Sequence, residues 1–267
     1  MQMRLILSPP QDGITNMATD QAIMEAVGDG HVPPTLRLYR WHPACLSLGY
    51  AQSMTDVDES RLQSKGWMLV RRPTGGRAIL HTDELTYSIS LPQDNPLVEG
   101  DIVTSYRRLT EGLRRGLEVL GLEAESRRQS KGRPGSAVCF ETPSHYELTF
   151  DGRKLIGSAQ VRRQKAVLQH GSLPLSGDIT RICETLAYPN EWERDDAREK
   201  VRQRATTLEH ALGKVIDWET AAYAMVEGFA EALGMIFEDS FLTPEESLRL
   251  EQLRAEVYSH DAWTYKR

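Results

Sequence analysis

Two side chains in the sequence could together carry out nucleophilic catalysis, namely Cys139 and Lys154. A cysteine thiolate is a strong nucleophile, and the thioester that it forms keeps an acyl group activated for transfer. A lysine ammonium close to the thiol would favour the thiolate form. Lone cysteines are more often small core residues, and Cys45 and Cys183, which lie in apolar settings, are predicted to be buried thiols. Cys139 is therefore a candidate nucleophile, with a structural role as the alternative.

A second group of candidates lies in a loop rich in arginine and glycine, Arg71-Arg72-Pro73-Thr74-Gly75-Gly76-Arg77, which is followed by His81. Proline followed by paired glycines cannot continue a strand, so this segment is predicted to connect two strands. Glycines let backbone N–H groups approach a ligand closely, and arginines supply positive charge. The same features also fit a simple turn with a structural histidine after it. Both interpretations stay open at this point.

The dipeptide Asp151-Gly152 between two alternating segments predicts a β-hairpin. A two-residue turn at this position pairs Thr149 with Lys154 and Glu147 with Ile156. The face of the hairpin that carries Lys154 is polar and must look toward solvent or a site, whereas the opposite face is apolar and belongs to the core. The hairpin thus offers Lys154 as a partner for the candidate nucleophile.

Composition limits the classes of protein to which the chain can belong. The chain has 267 residues, a net charge of −6 and three cysteines. The cysteines show no CxxC or Cys/His ligand spacing, so neither a disulfide framework nor a zinc site is expected. We find no signal peptide and no membrane-spanning stretch, and we expect a cytoplasmic protein that binds neither membranes nor nucleic acids. Residues 107–165 are nevertheless basic, which predicts a surface for an acidic partner.

Predicted helices and strands that carry these residues follow one another along the chain. Asn16 is predicted to cap a first helix, short strands follow at 36–38 and 46–48, and residues 84–91 alternate as a half-buried strand. A long amphipathic helix follows at 102–120, and the pattern is helical beyond Pro174. Thr243-Pro244 is predicted to open the last helix. This order of elements indicates a mixed α+β fold with strands packed under helices.

Four separated motifs make the sequence resemble the family of lipoate-protein ligases and octanoyltransferases. They occur in the family's order at residues 16–20, 36–49, 71–81 and 152–160. The resemblance runs from the N-terminus to about Pro174 and continues more loosely through the helices after it. It implies an α+β fold of the biotin/lipoate protein ligase type, with a mixed β-sheet core flanked by helices.

Departures from the ligase pattern narrow the resemblance further. Arg77 stands where ATP-using ligases typically have a third glycine, and Glu84-Leu85-Thr86-Tyr87-Ser88 replaces their Asn-rich stretch. Those ligases also lack a cysteine where Cys139 stands. Together with the segment 139–144, these features resemble octanoyltransferases of the LipM type within the lipoate-protein ligase A/B family.

The resemblance implies a mechanism and a set of partners. In the octanoyltransferases the cysteine carries the acyl group and a lysine assists it, which maps onto Cys139 and Lys154. The implied donor is octanoyl-acyl carrier protein, the implied acceptor is the glycine-cleavage H protein or another lipoyl domain, and neither a cofactor nor a metal is needed. The residues expected to bind substrate are Arg71, Arg72, Thr74, Gly75, Gly76, Arg77, His81, Gly157, Ser158 and Ala159.

Three other functions remain open from the sequence. They are an ATP-dependent lipoate-protein ligase, an amidotransferase that moves octanoyl between lipoyl domains, and a carrier-binding protein without catalytic activity. We expect a single acyltransferase domain over residues 1–267, with a catalytic core at about 31–217 and a C-terminal helical segment at 218–267.

Overall fold

The computed structural model describes residues 1–127 and 147–266, in which eleven β-strands and eight α-helices are present. The strands are β1 Gln2–Leu7, β2 Thr35–Tyr39, β3 Cys45–Leu48, β4 Met68–Arg71, β5 Ile79–His81, β6 Glu84–Pro92, β7 Glu125–Arg127, β8 Glu147–Phe150, β9 Arg153–Arg163, β10 Ala166–Pro174 and β11 Ile236–Asp239. The α-helices are α1 Gly13–Gly28, α2 Glu59–Ser64, α3 Ile102–Val119, α4 Glu191–Arg204, α5 Leu208–Leu212, α6 Trp218–Leu233, α7 Pro244–Leu253 and α8 Asp261–Thr264.

Two sheets organise these elements. The larger sheet has eight strands in the order β11-β1-β2-β6-β10-β9-β8-β7. In it β1 runs parallel to both of its neighbours, while the remaining neighbouring pairs are antiparallel. The smaller sheet has the order β4-β3-β5, with β3 parallel to β4 and antiparallel to β5. The predicted α+β class, a mixed sheet flanked by helices, is confirmed.

Helices α3 and α6 pack against each other and contribute to the main core. Leucines at 109, 113 and 117 recur every four residues along α3, so they form one apolar stripe. All three are buried in the same cluster as Phe229 of α6. The backbones of the two helices approach closely, because a Cβ atom on Gly228 would collide with the backbone of Gly116. Glycine at these positions therefore fixes the distance between the helices.

Helix α1 packs against β6 and β10 and begins earlier than predicted. Asp12, rather than Asn16, caps it by accepting a hydrogen bond from the N–H of Thr15 at 2.8 Å. Asn16 is buried inside the helix, where its side-chain oxygen accepts a hydrogen bond from the Arg37 guanidinium at 2.7 Å. Asparagine and aspartate cap helices about equally well. The prediction for Asn16 was wrong because its side chain accepts a hydrogen bond from Arg37, which is distant in sequence, and does not cap the helix.

The β8–β9 hairpin has the predicted turn. Asp151 and Gly152 have φ angles of 50° and 71°, and positive values at both positions are what a two-residue type I′ turn requires. Thr149 pairs with Lys154 as predicted.

A β-bulge changes the register beyond that pair. It brings Leu148 opposite Ile156, so the predicted pairing of Glu147 with Ile156 was wrong. A bulge adds one residue to a strand and reorients the side chains that follow. β9 also runs on to Arg163 and pairs along most of its length with β10. The hairpin is therefore an inner part of the large sheet.

The C-terminal part of the chain joins the N-terminal part in the same sheet. The segment predicted as helical, 218–267, also contains β11, which pairs with β1. The division into a catalytic core and a C-terminal segment stays a prediction. No helix in the two described segments is both long and apolar enough to cross a lipid bilayer. Within those segments, no three or more His, Cys, Asp or Glu side chains are placed to hold a metal ion.

Candidate active site

A cavity of about 260 Å³ lies where the loop between β4 and β5 meets strands β9 and β10. Eight residues of the predicted site line it, namely Arg72, Gly76, Arg77, His81, Lys154, Gly157, Ser158 and Ala159. Nine further residues line the cavity but were not predicted as site residues, namely Met17, Tyr39, Trp41, Ser47, Ile79, Thr86, His170, Gly171 and Ser172. The fold thus brings together two motifs that are about eighty residues apart in the chain.

Four predicted residues are not placed in the cavity wall. Thr74 and Gly75 lie in the same loop but do not line the cavity. Arg71 precedes that loop, at the end of β4, and does not line the cavity either. Cys139 lies outside the described residues.

The two adjacent arginines have different surroundings. Arg71 is buried, and its guanidinium donates to the carbonyl oxygens of Gly49 at 2.8 Å, Gln52 at 2.6 Å and Thr264 at 2.8 Å. It therefore joins the segment after β3 to the C-terminal helix α8. Its role is to hold these segments together next to the cavity.

Arg72 points toward the cavity and organises the glycine loop. Its guanidinium donates to the carbonyl oxygens of Ser47 at 3.0 Å, Gly75 at 2.9 Å and Arg77 at 2.7 Å. The loop is further restrained at Gly49, where a Cβ atom would collide with the carbonyl oxygen of Gly76. These contacts explain why the motif combines an arginine with glycines, and they give the loop one defined shape.

His81 is held in a fixed orientation in the cavity wall. Its Nδ1 lies 2.7 Å from Oε1 of Glu84, and its Nε2 lies 2.8 Å from Oγ of Ser47. Because a carboxylate only accepts hydrogen bonds, Nδ1 carries the proton. Glu84 also accepts hydrogen bonds from Thr86 and Ser172. His81 thus belongs to a buried polar network that fixes its ring.

An aromatic and aliphatic wall covers another part of the cavity. The ring of Trp41 stacks on His81 with a centroid distance of 3.9 Å, and its Nε1 donates to Thr86 at 2.8 Å. Met17, Tyr39 and Ile79 contribute further apolar surface, and all three are buried. Met17 comes from α1, outside the predicted core of 31–217. Such a wall can accept an alkyl chain, because moving apolar surface out of water is favourable.

Lys154 brings a positive charge into this wall. Its side chain is 2% exposed, and its Nζ lies 2.5 Å from Oε1 of Glu147, which is equally buried. The polar face of the hairpin therefore looks into the protein interior rather than toward solvent. Burying a lysine is costly unless an acid compensates it, and Glu147 supplies such an acid next to the ammonium.

A second buried pair, Asp20 and His170, was missed from the sequence. Nδ1 of His170 lies 3.4 Å from Asp20, and its Nε2 lies 2.7 Å from Oγ1 of Thr74. Burial lowers the pKa of His170, and the neighbouring Asp20 carboxylate only partly opposes this effect. Burial raises the pKa of Asp20, but the Arg37 guanidinium at 2.7 Å, His170 and the Tyr39 hydroxyl together outweigh it, so that the pKa lies below its usual range. A neutral His170 therefore connects a charged aspartate to the glycine loop.

Two cysteines occupy the positions that the sequence predicts. Cys45 and Cys183 are both fully buried and form no disulfide. Burial raises the pKa of the Cys45 thiol, which suppresses its reactive thiolate form. The prediction that both are buried thiols is confirmed.

Comparisons with known proteins give one consistent family. The model of the lipoyl protein ligase A/B catalytic domain matches residues 12–230. The chain is 43% identical to octanoyltransferase LipM of Kyrpidia tusciae, over 99% of this chain and 98% of the relative. It is 42% identical to octanoyltransferase LipM of an Exiguobacterium species, over 94% of each chain.

Solved structures agree with this result. A bipartite lipoate protein ligase from Thermoplasma acidophilum superposes with a TM-score of 0.82 at 27% identity, covering 99% of this chain and 96% of that one. A lipoate-protein ligase A bound with ATP superposes with a TM-score of 0.82 at 25% identity, covering 99% of each chain.

Proposed function

Because the chain belongs to the family of lipoyl protein ligase A/B catalytic domains and is an acyltransferase, we propose that it transfers octanoyl groups through a thioester on Cys139. The donor in this proposal is octanoyl-acyl carrier protein. The acceptor is a lysine of the glycine-cleavage H protein or of a similar lipoyl domain, and the reaction takes place in the cytoplasm. The two octanoyltransferase relatives support octanoyl transfer in protein lipoylation as the activity.

The observation that carries the proposal is the position of Lys154 in the cavity wall. A buried ammonium lies beside an aromatic and aliphatic surface, so one cavity offers both a place for an alkyl chain and a positive charge. A positive charge stabilises a thiolate and also the oxyanion of a tetrahedral intermediate. Both species occur when a cysteine exchanges acyl groups.

The sequence distance from Cys139 to this lysine permits the reaction. Glu147, which pairs with Lys154, follows Cys139 by eight residues. Eight residues can span up to roughly 28 Å when extended. The thiol can therefore reach the cavity.

The proposed chemistry consists of two transfers. The Cys139 thiolate attacks the carbonyl carbon of the donor thioester, and the pantetheine sulfur leaves as a thiolate that takes up a proton. The neutral amine of the acceptor lysine then attacks the new thioester, loses a proton, and releases the Cys139 thiolate. The first step exchanges one thioester for another and is nearly neutral, whereas the second forms a more stable amide. The reaction needs no ATP.

The test is the intact mass of the protein after incubation with octanoyl-acyl carrier protein in the absence of ATP. We expect one octanoyl group, located on Cys139 and released by hydroxylamine, as a thioester should be. Cys139→Ala should abolish the adduct and the transfer to a lipoyl domain. Cys183→Ala is the matched control, because that thiol is buried away from the cavity.

Two results would replace this proposal with another. Transfer that occurs only with ATP and free octanoate would identify an ATP-dependent ligase. Acylation of Cys139 by an octanoylated lipoyl domain, but not by octanoyl-acyl carrier protein, would identify an amidotransferase. Full transfer by Cys139→Ala would contradict the thioester route in either case.

A further inference from the structure

Among the described residues, the cavity is lined by cationic side chains and by no acidic ones. Two of these cations have partners, since Arg72 donates to backbone carbonyls and Lys154 pairs with Glu147. Arg77 differs from them. It is only partly buried, and residues 1–127 and 147–266 supply no hydrogen-bond or ion-pair partner for its guanidinium. Its positive charge is therefore available to a ligand at the cavity.

The backbone that carries Arg77 is held in place and offers further donors. The carbonyl of Arg77 accepts a hydrogen bond from Arg72, and Gly76 has a φ of 95°, in the region that favours glycine. Within the described part of the chain, the N–H groups of Gly76 and Arg77 donate no hydrogen bond. Consecutive N–H groups around a residue with positive φ are typical of anion-binding loops. An anion near this loop would meet both these donors and the guanidinium.

We propose that Arg77 and the backbone N–H groups of Gly76 and Arg77 bind the phosphate of the phosphopantetheine arm of the acyl donor. This inference rests on the proposed function, because it concerns the donor of the same transfer. The arm carries its only charge at the end remote from the sulfur. When the octanoyl group enters the apolar wall, the phosphate is the last part of the arm and stays toward the opening, where Arg77 is partly exposed.

A guanidinium matches this phosphate better than a lone lysine would. Its planar array of N–H groups can donate two parallel hydrogen bonds to one phosphate. The phosphate belongs to the arm rather than to any one carrier protein. Arg77 would therefore recognise the arm itself, while contacts elsewhere would distinguish carrier proteins.

The first experiment measures binding and does not depend on acyl transfer. The dissociation constants of 4′-phosphopantetheine and of pantetheine, which differ only in the phosphate, are determined by calorimetry for the full chain. We expect the phosphate to improve binding by about 10- to 100-fold, as for a hydrogen-bonded charged pair. Arg77→Ala should lose this preference. Arg202→Ala is the matched control, because Arg202 lies on the exposed surface of α4, outside the cavity lining.

The second experiment measures acylation of Cys139 by octanoyl-4′-phosphopantetheine, octanoyl-pantetheine and octanoyl-acyl carrier protein. We expect Arg77→Ala to slow the two phosphate-containing donors by similar factors and to leave octanoyl-pantetheine unchanged. Equal loss with all three donors, or loss with the carrier protein alone, would overturn the inference, as would a wild-type protein that binds both pantetheines equally. If the phosphate preference in binding holds but Cys139 is never acylated, the proposed function fails and the phosphate site stands.

Discussion

At the residue scale, Lys154 has two roles that substitution can separate. Lys154→Ala should abolish transfer and should also destabilise the fold by about 3–5 kcal/mol, because it breaks the buried ion pair between the Lys154 ammonium and the Glu147 carboxylate. Thermal unfolding and the intact-mass assay measure the two effects.

A double variant provides the control for this prediction. Lys154→Met/Glu147→Leu removes both charges, and replacing a buried ion pair by apolar side chains is often neutral for stability. We expect it to unfold near the wild-type temperature while it remains unable to form the thioester. A double variant that transfers octanoyl normally would show that the ammonium is dispensable.

His170 leads to a prediction about pH. Because burial lowers the pKa of His170 in the folded state, the unfolded state binds a proton more readily as the pH falls below about 6.5. The free energy of unfolding should then decrease with falling pH, by at most about 1.4 kcal/mol per pH unit. Above that pH both states are neutral and His170 contributes no pH dependence.

The measurement is the melting temperature from about pH 7 to about pH 5, where carboxylates with lowered pKa values stay charged. We expect the melting temperature to fall more steeply for the wild type than for His170→Gln. His31→Gln, at an exposed position, should keep the wild-type slope. Parallel curves for wild type and His170→Gln would rule out this role for His170.

At the element scale, helix α8 supports the active-site loop through Arg71. The guanidinium of Arg71 donates to the carbonyl of Thr264, and Nε1 of Trp263 donates to the carbonyl of Arg71 at 2.8 Å. Trp263→Ala should therefore slow acylation by roughly 10- to 100-fold through misplacement of the loop. The acylation rate is measured well below the melting temperature of the variant. Tyr265→Phe, which removes only a hydroxyl that donates to Glu59, should acylate at the wild-type rate.

The close contact between α3 and α6 should contribute to the stability of the fold. Gly228→Ala places a methyl group against the backbone of Gly116, and overpacking of this kind typically costs about 1–3 kcal/mol. Denaturant unfolding should show this loss, whereas Glu227→Ala, at the exposed neighbouring position, should be close to neutral. If both variants have the same free energy of unfolding, the close approach of the two helices does not contribute to stability.

At the scale of the whole molecule, charge is distributed unevenly along a chain whose net charge is −6. The excess of Lys and Arg in residues 107–165 should attract an acidic carrier protein. Some of this charge is already compensated, because Arg114 and Arg115 pair with acids on α3 and α6. The remainder should speed association in a salt-dependent manner.

The rate of acylation by octanoyl-acyl carrier protein should therefore fall as ionic strength rises from about 50 mM to about 500 mM. The rate with octanoyl-pantetheine, which has no protein surface and no phosphate, should change little. Equal salt dependence with both donors would show that docking to the carrier does not rely on charge.

Features that depend on neighbouring residues could be predicted from the sequence. The turn at Asp151-Gly152, the leucine stripe of α3 and the start of α7 follow from local backbone and side-chain preferences, so their patterns suffice to predict them. The motif 71–81 also predicted the loop between β4 and β5, because proline followed by paired glycines cannot continue a strand.

Contacts between distant parts of the chain could not be predicted in this way. Neither the pairing of Asp20 with His170 nor the hydrogen bond from Arg71 to α8 leaves a local pattern, since each joins segments that are far apart in the chain. The register shift between β8 and β9 likewise arises from pairing within the sheet, and the burial of the Lys154–Glu147 pair arises from packing of the whole fold. The partners of these side chains are far away in the sequence, and only the packing of the folded chain brings them within hydrogen-bonding distance.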